Sequence, residues 1–211
     1  MEAQRGSRVT VRDIDGLFDK GYAARAMLLL ELNRPLVRQA DEEDSSFIFR
    51  AIDLDDVGLA IRLLELGADP NARKMIEFKV VPPLEFAIAE GSREMCKALI
   101  DRGADPGALA SIMILNDEEP NVAHISYPVM AVLLDKPGTL EVLVSSGDYS
   151  VSQLNEVADI ARFTGKNGCM AMITDFMGSR GYPLHKASGD NTTPIAEFFR
   201  VLQIKEVSRF N

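Results

Sequence analysis

His124 and His185 are the only histidines in this 211-residue chain, and Cys96 and Cys169 are its only cysteines. These types carry most general-base, metal-ligand and nucleophile chemistry near neutral pH. No recognised catalytic signature surrounds either histidine. His124 falls in a long connection, where a solvated histidine is the ordinary expectation. Both cysteines stand among helix-spaced apolar residues, as small core hydrophobes do. The chain has no Cys-x-x-Cys or His-x-x-x-His pair, so it offers no metal-ligand spacing. Gly165-Lys166 resembles the end of a phosphate-binding loop, but Ile160 holds a position where that loop requires glycine. Asn191-Thr192-Thr193 is a glycosylation pattern that needs a secretory context. Met1–Arg12 is polar and charged, unlike a leader peptide. The sequence therefore predicts a non-enzymatic protein with no catalytic residue, no cofactor and no metal.

Composition narrows the class further. The chain is 46% hydrophobic and 26% charged, a globular balance. Its longest apolar cluster, Ala26–Leu30, is far too short to span a bilayer, so no membrane association is expected. Two cysteines suit a reducing compartment, which makes a cytoplasmic location the expectation. Secretion into a host or target cell by a non-classical route is the alternative. Of the net charge of −9, residues 41–148 carry −12, while 1–40 carry +2 and 149–211 carry +1. An acidic middle repels phosphate backbones and excludes nucleic acid as a partner. It favours a basic protein partner, although acidic surfaces also serve solubility alone.

The elements that hold these residues announce themselves as a repeat. Leu63-Leu64-Glu65-Leu66-Gly67-Ala68-Asp69-Pro70 recurs thirty-six positions later as Leu99-Ile100-Asp101-Arg102-Gly103-Ala104-Asp105-Pro106. Pro82-Pro83-Leu84-Glu85-Phe86-Ala87-Ile88-Ala89-Glu90-Gly91 precedes the second copy. Pro83 suits a first helical position, where no N–H is needed. Gly91 and Gly103 suit left-handed helix stops. Met95, Cys96, Leu99 and Ile100 form an apolar stripe at helical spacing. These motifs closely resemble the ankyrin repeat family over residues 46–106. Pro82 and Glu85 stand where that family usually has Thr and His, and His185 in Tyr182-Pro183-Leu184-His185 stands where it often has a hydrogen-bonding histidine.

Used as a ruler, the stop position falls at Asn33, Gly67, Gly103, Gly147 and Gly181, with spacings of 34, 36, 44 and 34. Gly21 precedes Asn33 as Gly91 precedes Gly103, so a divergent first repeat is expected. Tyr127-Pro128 opens a further helix pair. Gly165 and Gly168 interrupt the pair between Val151 and Gly181. Thr193-Pro194 starts a final helix with Ile195, Phe198, Phe199 and Leu202 on one face. The fold class expected is all-α: an ankyrin-like solenoid of about five stacked helix pairs, with short hairpin fingers and a C-terminal capping helix. It forms one domain over 13–207, between tails at 1–12 and 208–211.

The resemblance implies a concave binding face lined by fingers and first helices, and a monomer when free. Met75, Ile76 and Phe78 lie beyond the reach of helix packing. The connection from Asp105 to Tyr127 is eight residues longer than its counterpart from Asp69 to Pro83, and long insertions are often functional. It carries Ile112 to Leu115, read either as a binding finger or as a strand or turn folded over the core. Asp117, Glu118 and Glu119 follow. With Glu85, Glu90 and the acids at positions 42–44, 53, 55 and 56, they are expected to form one acidic, partly apolar groove. The function expected is capture, and inhibition, of a basic protein, as immunity proteins and antitoxins do. An effector that grips a host protein, and a targeting subunit or scaffold of a larger enzyme complex, are the alternatives.

Overall fold

The computed structural model describes residues 9–42, 46–76, 79–115 and 120–185. Local rules account for most helix boundaries. The chain opens with α1 (Val11–Asp19), α2 (Ala23–Leu32) and α3 (Pro35–Glu42). Thr10 and Asp13 bond reciprocally at the start of α1, satisfying donors that have no intrahelical partner. α4 (Ile48–Asp53) and α5 (Val57–Leu66) follow, and Asp56 caps α5 by accepting from the Leu59 N–H at 2.9 Å. A hairpin of β1 (Lys74–Ile76) and β2 (Lys79–Val81) leads into α6 (Pro83–Glu90) and α7 (Arg93–Asp101). A longer antiparallel hairpin, β3 (Leu109–Leu115) and β4 (Pro120–Ser126), leads into α8 (Tyr127–Leu133) and α9 (Pro137–Ser146). α10 (Val151–Phe163) and α11 (Asn167–Ser179) complete the described helices, and Ser150 with Gln153 forms a capping box on α10.

The helices pack as antiparallel pairs, α1 with α2, α4 with α5, α6 with α7, α8 with α9 and α10 with α11. The second helices form one row, α5 on α7 on α9 on α11, and the first helices another, α4 on α6 on α8 on α10. Neither row buries an apolar stripe alone. Stacked, they share one apolar core that runs from Val11 to Met177. The first pair joins it through Phe18 against Phe47, ring centroids 5.7 Å apart, and through Arg50, which bonds Asp15 and Asp19 at 2.9 Å each. Outside the core, ion pairs join successive second helices: Arg62 to Glu31, Arg102 to Glu65 at 2.9 Å and Arg93 to Glu141 at 3.2 Å. Exposed pairs of this kind add at most about 1 kcal/mol each.

The expected stop positions divide. Gly67, Gly103 and Gly181 have φ of +101°, +101° and +67°, the left-handed region that glycine enters without a Cβ clash. Asn33 and Gly147 do not, with φ of −134° and −90°, so those two assignments are corrected. The steadier landmark is the turn inside each pair. Gly21, Asp55, Gly91, Asp135 and Gly165 all have positive φ there, two of them as aspartates. Gly165 therefore makes the turn of the α10–α11 pair rather than interrupting it. α3 is an additional helix that the repeat spacing did not predict. Ile112–Leu115 belong to a strand, and that finger is seven residues a side rather than short. The final helix expected from Thr193 lies outside the described residues.

Candidate functional site

The two hairpins leave the stack on the same edge, and hydrogen bonds between consecutive units hold their bases. Asp69 accepts from the Asn71 backbone N–H at 2.9 Å, fixing the chain at the root of the Asn71 side chain. That side chain spans to the next unit, donating to the Gly103 carbonyl at 2.9 Å and accepting from the Asp105 N–H at 3.3 Å. Asp105 in turn accepts from the Gly107 N–H at 2.8 Å, and the Tyr149 hydroxyl donates to the Pro106 carbonyl. Three successive inter-pair connections are thus pinned through one asparagine and one tyrosine.

Between the bases lies an open recess of about 490 Å³, lined by Asn71, Arg73, Val80, Pro82, Leu84, Asp105, Ala108 and Tyr127. Leu84 and Tyr127 form a buried floor, and Asn71, Arg73 and Asp105 form a polar, exposed side. Around it Met75 is 57% exposed, Val80 46% and Leu109 57%. These three are grouped on the fingers, whereas the other large apolar side chains this open, Tyr22, Leu28, Leu32, Leu54 and Phe163, lie on or beside helices. Lys74 lies over the rings of Phe49 and Phe86, 5.2 and 5.8 Å from their centroids, and so braces β1 against α4 and α6.

Met75 stands where the sequence placed it, on an exposed strand. Ile76, Ile112 and Leu115 lie on β1 and β3 by their backbone. Phe78, Asp117, Glu118 and Glu119 lie outside the described residues. Glu85 departs from expectation. It is only 3% exposed and pairs with Lys79, because the β1–β2 hairpin folds back over the first turn of α6. Burial raises its carboxyl above the usual range, with Lys79 opposing the shift. It is a structural tie rather than a steering charge. Glu90 is exposed, but it ends α6 at the turn edge, away from the fingers. Asp53, Asp55 and Asp56 share that edge through the α4–α5 turn. The acids of the described residues therefore do not gather in one groove.

Residues suited to chemistry are placed by packing. Cys96 and Cys169 are fully buried, and burial pushes their thiols up to about 12 and about 11. Thiols so placed carry almost no thiolate at neutral pH. His124 is exposed on β4, its Nδ1 3.1 Å from the Ser111 hydroxyl of the paired strand. At position 185 the backbone N–H, not the imidazole, makes the hydrogen bond, donating to buried Asn155 at 2.7 Å. Val80, Leu109 and Tyr127 were missed as site residues, because only stacking brings the two fingers side by side. No protein-family model and no curated protein matches this chain.

Proposed function

We propose that the chain is an ankyrin-type solenoid that captures a basic protein partner on its finger face and performs no catalysis. The observation that carries this reading is the exposure of Met75, Val80 and Leu109 around an open recess whose walls are pinned by Asn71 and Tyr149. Apolar anchors held on a stiff frame bind with little ordering cost. Antiparallel helix pairs, left-handed Gly67 and Gly103, and fingers between pairs support the ankyrin assignment. The net −12 over residues 41–148 supports a basic partner. Where that partner is a toxin, occupying this face makes the chain its inhibitor. Among the described residues no helix is long and apolar enough to cross a membrane.

The test is affinity capture from the native cell with the whole chain and with the Met75→Asp/Leu109→Asp variant, read by mass spectrometry. A basic protein should be retained by the native sequence and lost from the variant, whose circular dichroism and melting should match the parent. Retention by that variant, with loss on Lys97→Glu/Arg102→Glu on the second-helix row, would refute the assignment of the face.

A further inference from the structure

We infer that the outer edge of β4 is a seat for an extended strand of the partner, so that capture includes backbone pairing to the long finger. This inference rests on the proposed binding function and adds the mode of binding. β4 pairs with β3 and with no other strand among the described residues. The chain runs from β4 into α8, toward the fourth helix pair, so its free edge faces the side where the following finger would stand. That finger does not exist. The connection from α9 to α10 is Gly147-Asp148-Tyr149-Ser150, and it contains no strand. The place beside β4 is left open by the repeat itself.

The sequence of the finger is consistent with an edge meant to be covered. Soluble proteins protect free edges with lysine and other charges, proline, bulges or very short strands. Leu109–Leu115 and Pro120–Ser126 contain no Asp, Glu, Lys or Arg, in a chain that is 26% charged. Their register runs without a bulge from Leu109 opposite Ser126 to Leu115 opposite Pro120. The one proline stands at the tip and leaves Asn121–Ser126 able to donate. Such a strand offers main-chain hydrogen bonds without charged side chains in the way, which is the requirement for strand addition. Because the paired stretch is uncharged while exposed Asp105 and Asp148 stand in the connections on either side of the finger, the fitting occupant is an uncharged strand with basic flanks.

The test selects random dodecapeptides displayed on phage against the immobilised full chain, then measures the enriched peptides by fluorescence anisotropy. The expected peptides carry an uncharged core of about five to seven residues rich in β-branched or aromatic types, flanked by Lys or Arg. N-methylation of alternate backbone amides along one edge of the peptide should weaken binding by about tenfold or more, and along the other edge should not. On the protein, successive N–H groups of a strand point to opposite edges. Of Val122→Pro and Ala123→Pro, one therefore removes an outward donor and should abolish binding with helix content and melting unchanged. Peptides that bind regardless of N-methylation and of both prolines, yet lose binding on Met75→Asp, would overturn the strand seat and leave the finger-face reading standing. Peptides indifferent to every finger substitution would overturn both. A concentration-dependent dimer of the chain alone, abolished by the same proline, would make a second copy the occupant and overturn the inference.

Discussion

Gly103→Ala isolates what a left-handed helix stop contributes to the stack. Gly103 has φ of +101°, and a Cβ added there meets only the Pro70 Cγ, at 3.9 Å, so space is not the obstacle. The cost is in the backbone, where the left-handed region disfavours an L-residue by about 1–2 kcal/mol. Part of this is returned because alanine loses less chain entropy on folding, by about 0.5–1 kcal/mol. The net expectation is a loss of about 0.5–1 kcal/mol for alanine, and more for valine, whose branched Cβ resists that region further. The neighbourhood magnifies rather than relieves it. The Ala104 N–H closes back on the Leu99 carbonyl at 3.0 Å, and the Gly103 carbonyl accepts from Asn71 at 2.9 Å, so rotating this peptide breaks the tie between units. For a chain of this size a loss of 1 kcal/mol lowers Tm by about 2–4 °C. Urea unfolding followed by circular dichroism and intrinsic fluorescence supplies the free energy. Gly178→Ala inside α11 is the control, since nothing lies within 4 Å of its added Cβ and its φ is not positive; it should be neutral or stabilising by up to about 1 kcal/mol. An unchanged or raised Tm for Gly103→Ala, with the control behaving as stated, refutes the reasoning.

Asp55, at φ +48° and exposed, is the converse case: Asp55→Gly relieves the same strain and should raise stability by up to about 1 kcal/mol, with a lower urea midpoint counting against it. Asp135 is left native in that experiment, because it forms an ion pair with Lys166 at 3.7 Å and accepts from the Cys169 thiol at 3.9 Å. Glu85 gives a pH signature. Burial raises its folded-state pKa above the unfolded value, so its contribution is fully present below the unfolded pKa and is lost as pH rises through the folded one. Glu85→Gln cannot titrate, so its stability relative to the parent should improve between pH 4 and pH 7; a constant difference, or one of opposite sign, means that Lys79 outweighs burial.

The pairs around Gly67 and Gly103 were legible because glycine is nearly the only residue that fits a left-handed stop, and the helical stripe of Met95, Cys96 and Leu99 is a local pattern. Asp55 and Asp135 hid the steadier landmark, since aspartate tolerates positive φ without advertising it. Asn33 and Gly147 misled for the opposite reason: both types permit the left-handed conformation, and neither uses it. The misreading of Glu85 was of another kind. Its position on α6 is legible, but its burial is decided by the hairpin that brings Lys79 across it. Val80 and Ala108 are twenty-eight positions apart in sequence, and the floor of the recess they line exists only after the third and fourth pairs have docked.

The topology also divides the labour of binding in a way the charge count concealed. α6 is eight residues long, so its finger end and the Glu90 end are separated by about 12 Å. That exceeds the screening length of about 8 Å at physiological ionic strength. In the proposed complex, Glu90 and the acids of the α4–α5 turn are therefore largely screened from a partner docked on the finger face, and any steering they add to its approach is confined to low ionic strength. Residence time falls instead to Met75, Val80 and Leu109, which are desolvated only on contact. Tyr149 and Asn71 touch neither role directly. Asn71 fixes the base of one finger against the next, and Tyr149 holds the base of the second against the α9–α10 connection, so together they decide whether all three anchors reach the same partner at once.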